Sequence, residues 1–228
     1  MAYTTIDDPS AYFKVQLYTG NGSSGHAITF DDTDTNMQPD FVWIKVRDDT
    51  LDNRLFNSVR GVEKYLNSNS LIHEGSDANS LTAFGSDGFT VGTWDHVNGS
   101  SDPYVAWCWK ETADAGFDIV EFEGTGSART ISHSLSAVPH LMITKQLEDP
   151  GGGSNSWNVY HHKNTSAPET DYLILEENYA TTDSNIRWND TAPTSSVFTV
   201  GTGNSVNQSG VDHIMFLWSE KQGFSKFG

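Results

Sequence analysis

Cysteine, positive charge and helical periodicity are all scarce in this sequence, and each scarcity excludes a class of protein. The single cysteine, Cys108, excludes a disulfide within the chain, so stability has to come from packing or assembly. Only 13 lysines and arginines face 30 acidic residues, which gives a formal net charge of −17. Nucleic-acid binding needs phosphate neutralisation by basic side chains, so no nucleic-acid partner is expected. An anionic membrane surface is disfavoured for the same reason.

Long hydrophobic runs are missing as well. None approaches the ~18 residues that a membrane span requires, so membrane insertion is not expected. The first residues also lack the basic and apolar segments of a secretory signal. Charged residues make up only 19% of the chain, so its polarity comes mostly from Ser, Thr, Asn and Gly. This composition is typical of a loop-rich β protein.

What the sequence does contain is an internal duplication. The tetrapeptide Phe-Thr-Val-Gly at residues 89–92 returns at residues 198–201, and Asn98 returns as Asn207 at the same offset of 109. Small drifts in offset with preserved order are what loop insertions do to two copies of one structural unit. Further pairs keep this order at offsets between 100 and 109: Phe13 with Phe117, Gly20 with Gly124, Gly22 with Gly126, Pro39 with Pro139, Lys45 with Lys145, and Trp109 with Trp218.

The duplication predicts the domain organisation. We expect an N-terminal arm at residues 1–11, a first module at residues 12–112 and a second module at residues 113–228 that ends in a C-terminal strand. Residues 222–228 resemble the opening of a further repeat. They fit a longer array, or a strand that closes the second module or pairs with a neighbouring chain.

Short aromatic stretches bounded by Gly, Asn, Asp or Ser predict an all-β fold. Residues 13–18 alternate apolar and polar side chains, residues 41–46 are almost continuously apolar, and residues 84–91 indicate a hairpin or a strand–loop–strand. Helical periodicity is confined to Val59, Val62 and Leu66, which predict one short helix. The expected fold is two tandem antiparallel β-sandwich modules of jelly-roll or lectin-like type. One large sandwich, with the copies as its two halves, is the alternative.

Aromatic residues dominate the predicted core. Positions alike in both copies are interpreted as packing positions, and Trp188 joins them because it aligns approximately with Phe84. Cys108 aligns with Leu217 and is therefore expected to be a small buried apolar side chain. The predicted structural core comprises Phe13, Trp43, Phe89, Trp107, Trp109, Phe117, Trp188, Phe198, Phe216 and Trp218.

The recurring sequence motifs resemble a family of repeat domains in virion proteins of tailed bacteriophages, especially marine ones. The resemblance covers nearly the whole chain from Tyr12 onward. In the first copy it rests on residues 18–22 (YTGNG), 39–45 (PDFVWIK), 86–92 (SDGFTVG) and 104–110 (YVAWCWK). In the second copy it rests on residues 124–133 (GTGSARTISH), 138–139 (VP), 157–161 (WNVYH), 187–191 (RWNDT) and 223–228 (GFSKFG).

This resemblance implies a non-enzymatic structural protein on the exterior of a phage particle, as a tail fibre, head fibre, knob or capsid decoration. It implies no catalytic residues and no cofactor. The implied partners are other virion proteins and further copies of the chain, with a trimer favoured. The implied location is the virion surface, after synthesis in the cytoplasm of the bacterial host. A receptor- or glycan-binding adhesin of the tail is the alternative function.

One loop differs between the copies and is the candidate recognition site. Trp94 has Gly203 as its counterpart, in a loop that both copies must contain. Trp94, Asp95 and His96 combine an aromatic ring with polar groups, as in sites that stack on sugars. The competing interpretation is a tryptophan that packs back on its own module.

Other chemical signals are weaker. Residues 32–36 place oxygen ligands at alternate positions, as a calcium loop does, but Met37 follows where an EF-hand needs glycine. The adjacent histidines 161 and 162 are expected on opposite faces of a strand, so no metal site is predicted. Carboxylate pairs at Glu121 with Glu123 and at residues 176–177 would suit a glycosidase, but no catalytic signature surrounds them.

Overall fold

The computed structural model describes residues 6–31, 35–149, 151 and 156–228. Within these residues strands make up 40% and helices 8%, and all strand pairs are antiparallel, which confirms the all-β prediction. The chain divides into two compact units. The first unit contains Asp7–Asn69 and Glu74–Glu111; the second contains Thr112–Gly228 together with Ser70–His73 and Ile6.

The elements of the first unit are a 3₁₀ helix at Pro9–Ala11, β1 (Phe13–Thr19), β2 (His26–Thr29), β3 (Phe41–Val46), β4 (Arg54–Asn57), β5 (Gly61–Leu66), β6 (Gly75–Ser76), β7 (Leu81–Gly85), β8 (Gly88–Val91), α1 (Asp95–Asn98) and β9 (Pro103–Trp109). The strands form a six-stranded sheet in the order β1-β9-β3-β4-β5-β6 and a three-stranded sheet in the order β2-β8-β7.

The elements of the second unit are β10 (Phe117–Glu123), β11 (Arg129–Ser132), β12 (Leu141–Gln146), β13 (Asn158–His161), a 3₁₀ helix at Pro168–Thr170, β14 (Asp171–Ile174), β15 (Thr182–Asp183), α2 (Asn185–Trp188), β16 (Val197–Val200), α3 (Asn204–Asn207) and β17 (Asp212–Trp218). This unit repeats the strand order of the first, with β10-β17-β12-β13-β14-β15 in its larger sheet and β11-β16 in its smaller one. The one-turn helix α2 lies at the place in the chain order that β7 has in the first unit.

Each unit has its own apolar core, to which both of its sheets contribute. In the first unit Ile28 and Phe89 come from the smaller sheet, and Val42 and Cys108 come from the larger one. Leu217 takes the corresponding place in the second core. Cys108 is fully buried, and burial raises the pKa of its thiol far above the ordinary value, so it packs as an apolar side chain.

The aromatic core prediction needs one correction. Five of the ten residues, namely Phe89, Phe117, Trp188, Phe198 and Phe216, are buried. The other five, namely Phe13, Trp43, Trp107, Trp109 and Trp218, are only half-buried. The reason is strand alternation, since neighbours such as Ala106 and Cys108 point into the core and the tryptophans between them point to the opposite face of the sheet.

Strand β1 confirms the predicted strand but buries its polar face. Val15 and Leu17 are 48% and 54% exposed, whereas Lys14 and Gln16 are 5% and 6% exposed. The Lys14 ammonium lies 5.2 Å from the ring centroid of Phe30, and Gln16 Nε2 donates to the Leu17 carbonyl. Long polar side chains can line a core when their stems pack and their polar ends have partners.

The predicted helix around Val59, Val62 and Leu66 is wrong. Gly61–Leu66 forms strand β5, which pairs with β4. Gly61 has φ +86° and Glu63 has φ +67°, and backbone in this left-handed region cannot continue a right-handed helix. The predicted hairpin at residues 84–91 is confirmed, because β7 and β8 pair up to Gly85 and Gly88 around a two-residue turn.

The repeated asparagine connects the helix α1 to the loop that follows β1. Asn98 is fully buried, and its Nδ2 donates to the carbonyls of Ser23 and Gly92 at 2.9 and 2.6 Å. Its Oδ1 accepts from the Asn21 backbone amide at 2.8 Å and lies 2.9 Å from His26 Nδ1. One side chain therefore satisfies several groups of two loops that are far apart in sequence.

Asn207 makes the same connection in the second unit. It is also fully buried, and its Nδ2 donates to the carbonyls of Ser127 and Gly201, each at 2.7 Å. Its Oδ1 accepts from the Thr125 amide at 2.9 Å. The shared positions 98 and 207 are therefore part of the scaffold.

The repeated glycines allow this close approach of the loops. A Cβ atom at Gly20 would overlap the carbonyl oxygen of Gly99, and one at Gly124 would overlap that of Gln208. The steric demand is met only by a residue without a side chain. The spacing that the sequence repeats is thus a spacing of backbone contacts.

We expect Asn98→Ala to lower the free energy of unfolding by roughly 3 kcal/mol, because several buried polar groups lose their partners at once. Asn207→Ala should have a comparable effect in the second unit. Urea unfolding followed by far-ultraviolet circular dichroism measures both. The exposed Asn79→Ala is the matched control and should change stability by less than about 0.5 kcal/mol. Equal stabilities for Asn98→Ala and the control would contradict this role.

Candidate functional site

The predicted recognition residues lie at the start of helix α1. Trp94 is the N-cap residue, Asp95 is exposed, and Trp94 and His96 are half-buried. The Trp94 ring centroid lies 4.5 Å from that of His96 and 4.7 Å from that of Tyr65 on β5. The structure therefore brings Trp94 and His96 together and adds a second aromatic ring that the sequence pattern did not indicate.

An arginine from β4 joins the two aromatic rings. Arg54 is buried, and its Cζ lies 4.6 Å from the ring centroid of Trp94 and 4.9 Å from that of Tyr65. Its Nη2 lies 3.0 Å from Nε2 of His96. We call Arg54, Tyr65, Trp94 and His96 the Trp94 cluster. Stacked guanidinium–aromatic contacts are each worth about 0.5–2 kcal/mol, so the cluster also contributes to packing.

Polar groups surround the Trp94 cluster. Arg54 Nη1 donates to the side-chain oxygen of Asn67 and lies 3.4 Å from Oδ2 of Asp52. The exposed Asn69 donates from Nδ2 to Asp52 Oδ1 at 2.8 Å. The resulting surface combines half-buried aromatic rings with a carboxylate and an amide at the rim. Small-molecule sites use this combination of apolar faces and a few fixed polar groups.

The electrostatics of the cluster keep His96 neutral near pH 7. Burial lowers the pKa of His96, and the positive charge of Arg54 lowers it further, while Asp52 and Asp95 oppose this shift. A neutral imidazole can accept from the guanidinium at Nε2. His96 therefore acts as a hydrogen-bond acceptor for Arg54.

The second unit keeps the arginine-on-tyrosine contact but not the tryptophan. The strand registers place Tyr172 of β14 where Tyr65 lies in β5. The Cζ of Arg187, from α2, lies 4.6 Å from the Tyr172 ring centroid. A Cβ at Gly203, the N-cap of α3, would lie 2.5 Å from Arg187 Nη1. Arg187 thus occupies the space beside position 203, and the tryptophan is a feature of the first unit.

Sequence reasoning did not identify Arg54 or Tyr65. These residues come from two strands and meet Trp94 only because β4 and β5 pair beside the loop before α1. No spacing in the sequence connects the three. The arginine-on-tyrosine contact recurs in the second unit, but there the arginine comes from α2 and not from the strand equivalent to β4. The two arginines therefore do not align in the sequence, and comparing the copies could not reveal the contact.

The repeated lysines, Lys45 and Lys145, donate hydrogen bonds to backbone carbonyls. Lys45 Nζ donates to the carbonyls of Asp49 and Leu51 at 2.8 and 2.7 Å. Lys145 Nζ donates to the carbonyl of Leu71 at 3.1 Å, and burial lowers the pKa of Lys145 to about 8. Both ammonium groups therefore satisfy carbonyls of irregular segments.

The carboxylates considered for hydrolysis differ in their surroundings. Glu121 and Glu123 are exposed on β10, whereas Glu176 is half-buried and accepts from the Trp157 amide at 3.1 Å. Burial raises the pKa of Glu176. The structure thus gives Glu176 a hydrogen-bonding role within the fold of the second unit.

Metal ligation was considered at two places. These are the acidic stretch at residues 32–36, of which residues 32–34 lie outside the described residues, and the adjacent histidines 161 and 162. In the part of the chain that the structure describes, no group of three or more His, Cys, Asp or Glu side chains is arranged to hold a metal ion. No helix in the same part is long and apolar enough to cross a bilayer.

Three histidines gather in the second unit. The ring centroid of His162 lies 4.4 Å from that of His140 and 5.4 Å from that of His161. Glu220 lies beside them, with Oε1 3.6 Å from His162 Nε2. Sequence reasoning treated the adjacent histidines alone and missed His140, which the sheet brings to them.

We expect Arg54→Gln to raise the pKa of His96 toward 6.5, because the variant removes the cation that lies beside the imidazole. A histidine titration by NMR measures this pKa. Arg54→Lys keeps the charge and should leave the pKa of His96 low. An unchanged pKa in Arg54→Gln would show that the guanidinium does not act on His96.

The comparisons with known proteins give one result. The family described as Domain of unknown function (DUF7483) matches residues 8–228. Comparison with curated proteins and with solved structures gave no significant match. Since the match covers almost the whole sequence, the chain belongs to the DUF7483 family.

Proposed function

We propose that this protein is a structural, non-enzymatic component of the exterior of a tailed bacteriophage particle, where it serves as a fibre, knob or capsid decoration. The observation that carries the proposal is the duplicated scaffold, in which Asn98 and Asn207 hold equivalent loops in the two units. Such a chain acts by presenting loops on a rigid support. The reason for proposing a phage particle as its location is the resemblance of its repeated sequence motifs to repeats of phage virion proteins.

Within this proposal each unit is an antiparallel β-sandwich module. The contribution of both sheets to one core in each unit supports it. Loops at the ends of a sandwich can vary without disturbing the core. The difference between Trp94 and Gly203 is a variation of this kind.

The proposal includes assembly into homo-oligomers, with a trimer favoured, and contact with other virion proteins. Repetition supports this role, because weak contacts sum when many copies bind together. The formal charge of −17 supports it too, since it limits aggregation of crowded copies. The proposed place of action is the virion surface, after synthesis in the host cytoplasm.

Immunogold labelling tests the proposal. Antibody raised against the purified chain should label the outside of intact phage particles encoded by the same genome. Excess purified chain should abolish the label. Absence of label on intact particles, with the protein detected only in the host cell fraction, would contradict the proposal.

The second candidate function is a glycan- or receptor-binding adhesin. The specific observation in its favour is the Trp94 cluster with its rim of Asp52 and Asn69. Aromatic faces stack on sugar rings, and carboxylate and amide groups hydrogen-bond to hydroxyls. The second unit has Gly203 in place of the tryptophan, so only the first unit would bind.

Under this second function, Trp94→Ala should weaken binding on a glycan array by about tenfold, the equivalent of about 1.4 kcal/mol for a lost aromatic contact. Trp94→Phe retains a ring and should bind more strongly than Trp94→Ala. Tyr179→Ala removes an exposed ring from the second unit and serves as the matched control. An identical array profile for wild type and a folded Trp94→Ala would exclude this role for the cluster.

A further inference from the structure

A contact between strand ends recurs in both units with different chemistry. In the first unit, Asp40 precedes β3, Ser58 follows β4 and Glu111 lies two residues beyond β9. Asp40 Oδ2 accepts from the Glu111 amide at 2.9 Å, and Asp40 Oδ1 accepts from the Ser58 hydroxyl at 2.9 Å. We call these three residues the first clamp.

The second unit has the same contact at the same places. His140 precedes β12, His162 follows β13 and Glu220 lies two residues beyond β17. The Glu220 amide donates to His140 Nδ1 at 3.0 Å. We call these three residues the second clamp.

The backbone of the two clamps is equivalent. The amides of Asp40 and His140 donate to the carbonyls of Trp109 and Trp218, at 2.8 and 2.7 Å. The amides of Ser58 and His162 donate in turn to the carbonyls of Asp40 and His140, at 2.8 and 2.9 Å. Only the side chains differ, so the chain contains one clamp with a carboxylate acceptor and one with an imidazole acceptor.

This difference matters because the two acceptors respond to different pH. A carboxylate still accepts hydrogen bonds at pH 5, whereas a ring nitrogen that accepts must carry no proton. His140 Nδ1 can therefore hold the Glu220 amide only while it is unprotonated. His162 Nε2 lies 2.8 Å from the Phe227 carbonyl and donates to it in either charge state.

The second clamp also holds the C-terminal segment. Glu220 Oε1 accepts from the Phe227 amide at 3.0 Å, while His162 holds the Phe227 carbonyl. Between these contacts the segment turns back on itself, with a bridge between Lys221 and Ser225. Residues 221–228 thus depend on the groups that surround His140.

We propose that the second clamp is a proton-sensitive latch, in which protonation of His140 at Nδ1 breaks its hydrogen bond from the Glu220 amide and loosens residues 221–228. The first clamp, with Asp40 in place of the imidazole, stays closed under the same conditions. The latch goes beyond the proposed virion role and does not depend on it.

The surroundings of His140 determine in which direction pH changes the stability of the closed latch. Burial is the main cause that lowers the pKa of His140, and His162, Lys163 and His161 lower it further, whereas the carboxylate of Glu220 opposes them. A lowered pKa means that the closed state favours neutral His140. The closed state is therefore fully stabilised above pH 6.5, and this stabilisation is lost as the pH falls from 6.5 toward the pKa of the closed state.

Amide hydrogen exchange resolved by NMR tests the latch in the whole chain. After correction for the intrinsic pH dependence of exchange, opening at Glu220 and Phe227 should increase from about pH 7 to about pH 5, by up to about tenfold for each pH unit below 6.5 if one proton is taken up. The Glu111 amide, which is bonded to Asp40, should keep its protection over this range.

The matched variant is the double substitution His140→Asp with His162→Ser, which installs the first clamp's residues in the second. Its Glu220 amide should become as insensitive to pH as that of Glu111. If this variant does not fold, the wild-type comparison between Glu111 and Glu220 still decides. The latch is refuted if Glu220 stays protected to about pH 5, if both glutamate amides lose protection together, or if a folded double variant opens as wild type does.

Discussion

The structure depends on one interaction that occurs twice, the buried asparagine that joins the last helix of each unit to its first loop. Asn98 and Asn207 are surrounded by backbone amides and carbonyls of loop residues, which lie outside the paired strands. A buried side-chain amide can donate and accept hydrogen bonds at once, so it satisfies both backbone N–H groups and backbone carbonyls. The glycines at 20 and 124 permit this contact, because any Cβ would separate the loops.

The duplication made much of this predictable. The asparagines at 98 and 207 are repeated because they hydrogen-bond to loop backbone. The glycines at 20 and 124 are repeated because the backbone there approaches a neighbouring carbonyl too closely for a side chain. Hydrophobic alternation located the strands, but it did not show which face is buried. In β1 the inward residues are Lys14 and Gln16, since their stems pack and their polar ends find Phe30 and the Leu17 carbonyl. Such compensation is decided by neighbours that are distant in sequence.

The candidate sites were less predictable for the same reason. Trp94 was identifiable as a difference between the copies, but its contacts with Arg54 and Tyr65 arise from strand pairing. His140 and His162 meet because β12 and β13 are neighbours in the sheet. In both cases the informative comparison is between equivalent places in the two units. Where the backbone contacts agree and the side chains differ, the two units carry different chemistry on the same scaffold.

The connections between paired strands show where the fold tolerates change in length. Residues 147–157 join β12 to β13, whereas the shorter segment of residues 47–53 joins β3 to β4, although the flanking strands pair in the same register. The extra residues in the second copy left the ladder intact. A peptide epitope grafted into the shorter connection would therefore lengthen a site that the duplicate has already extended.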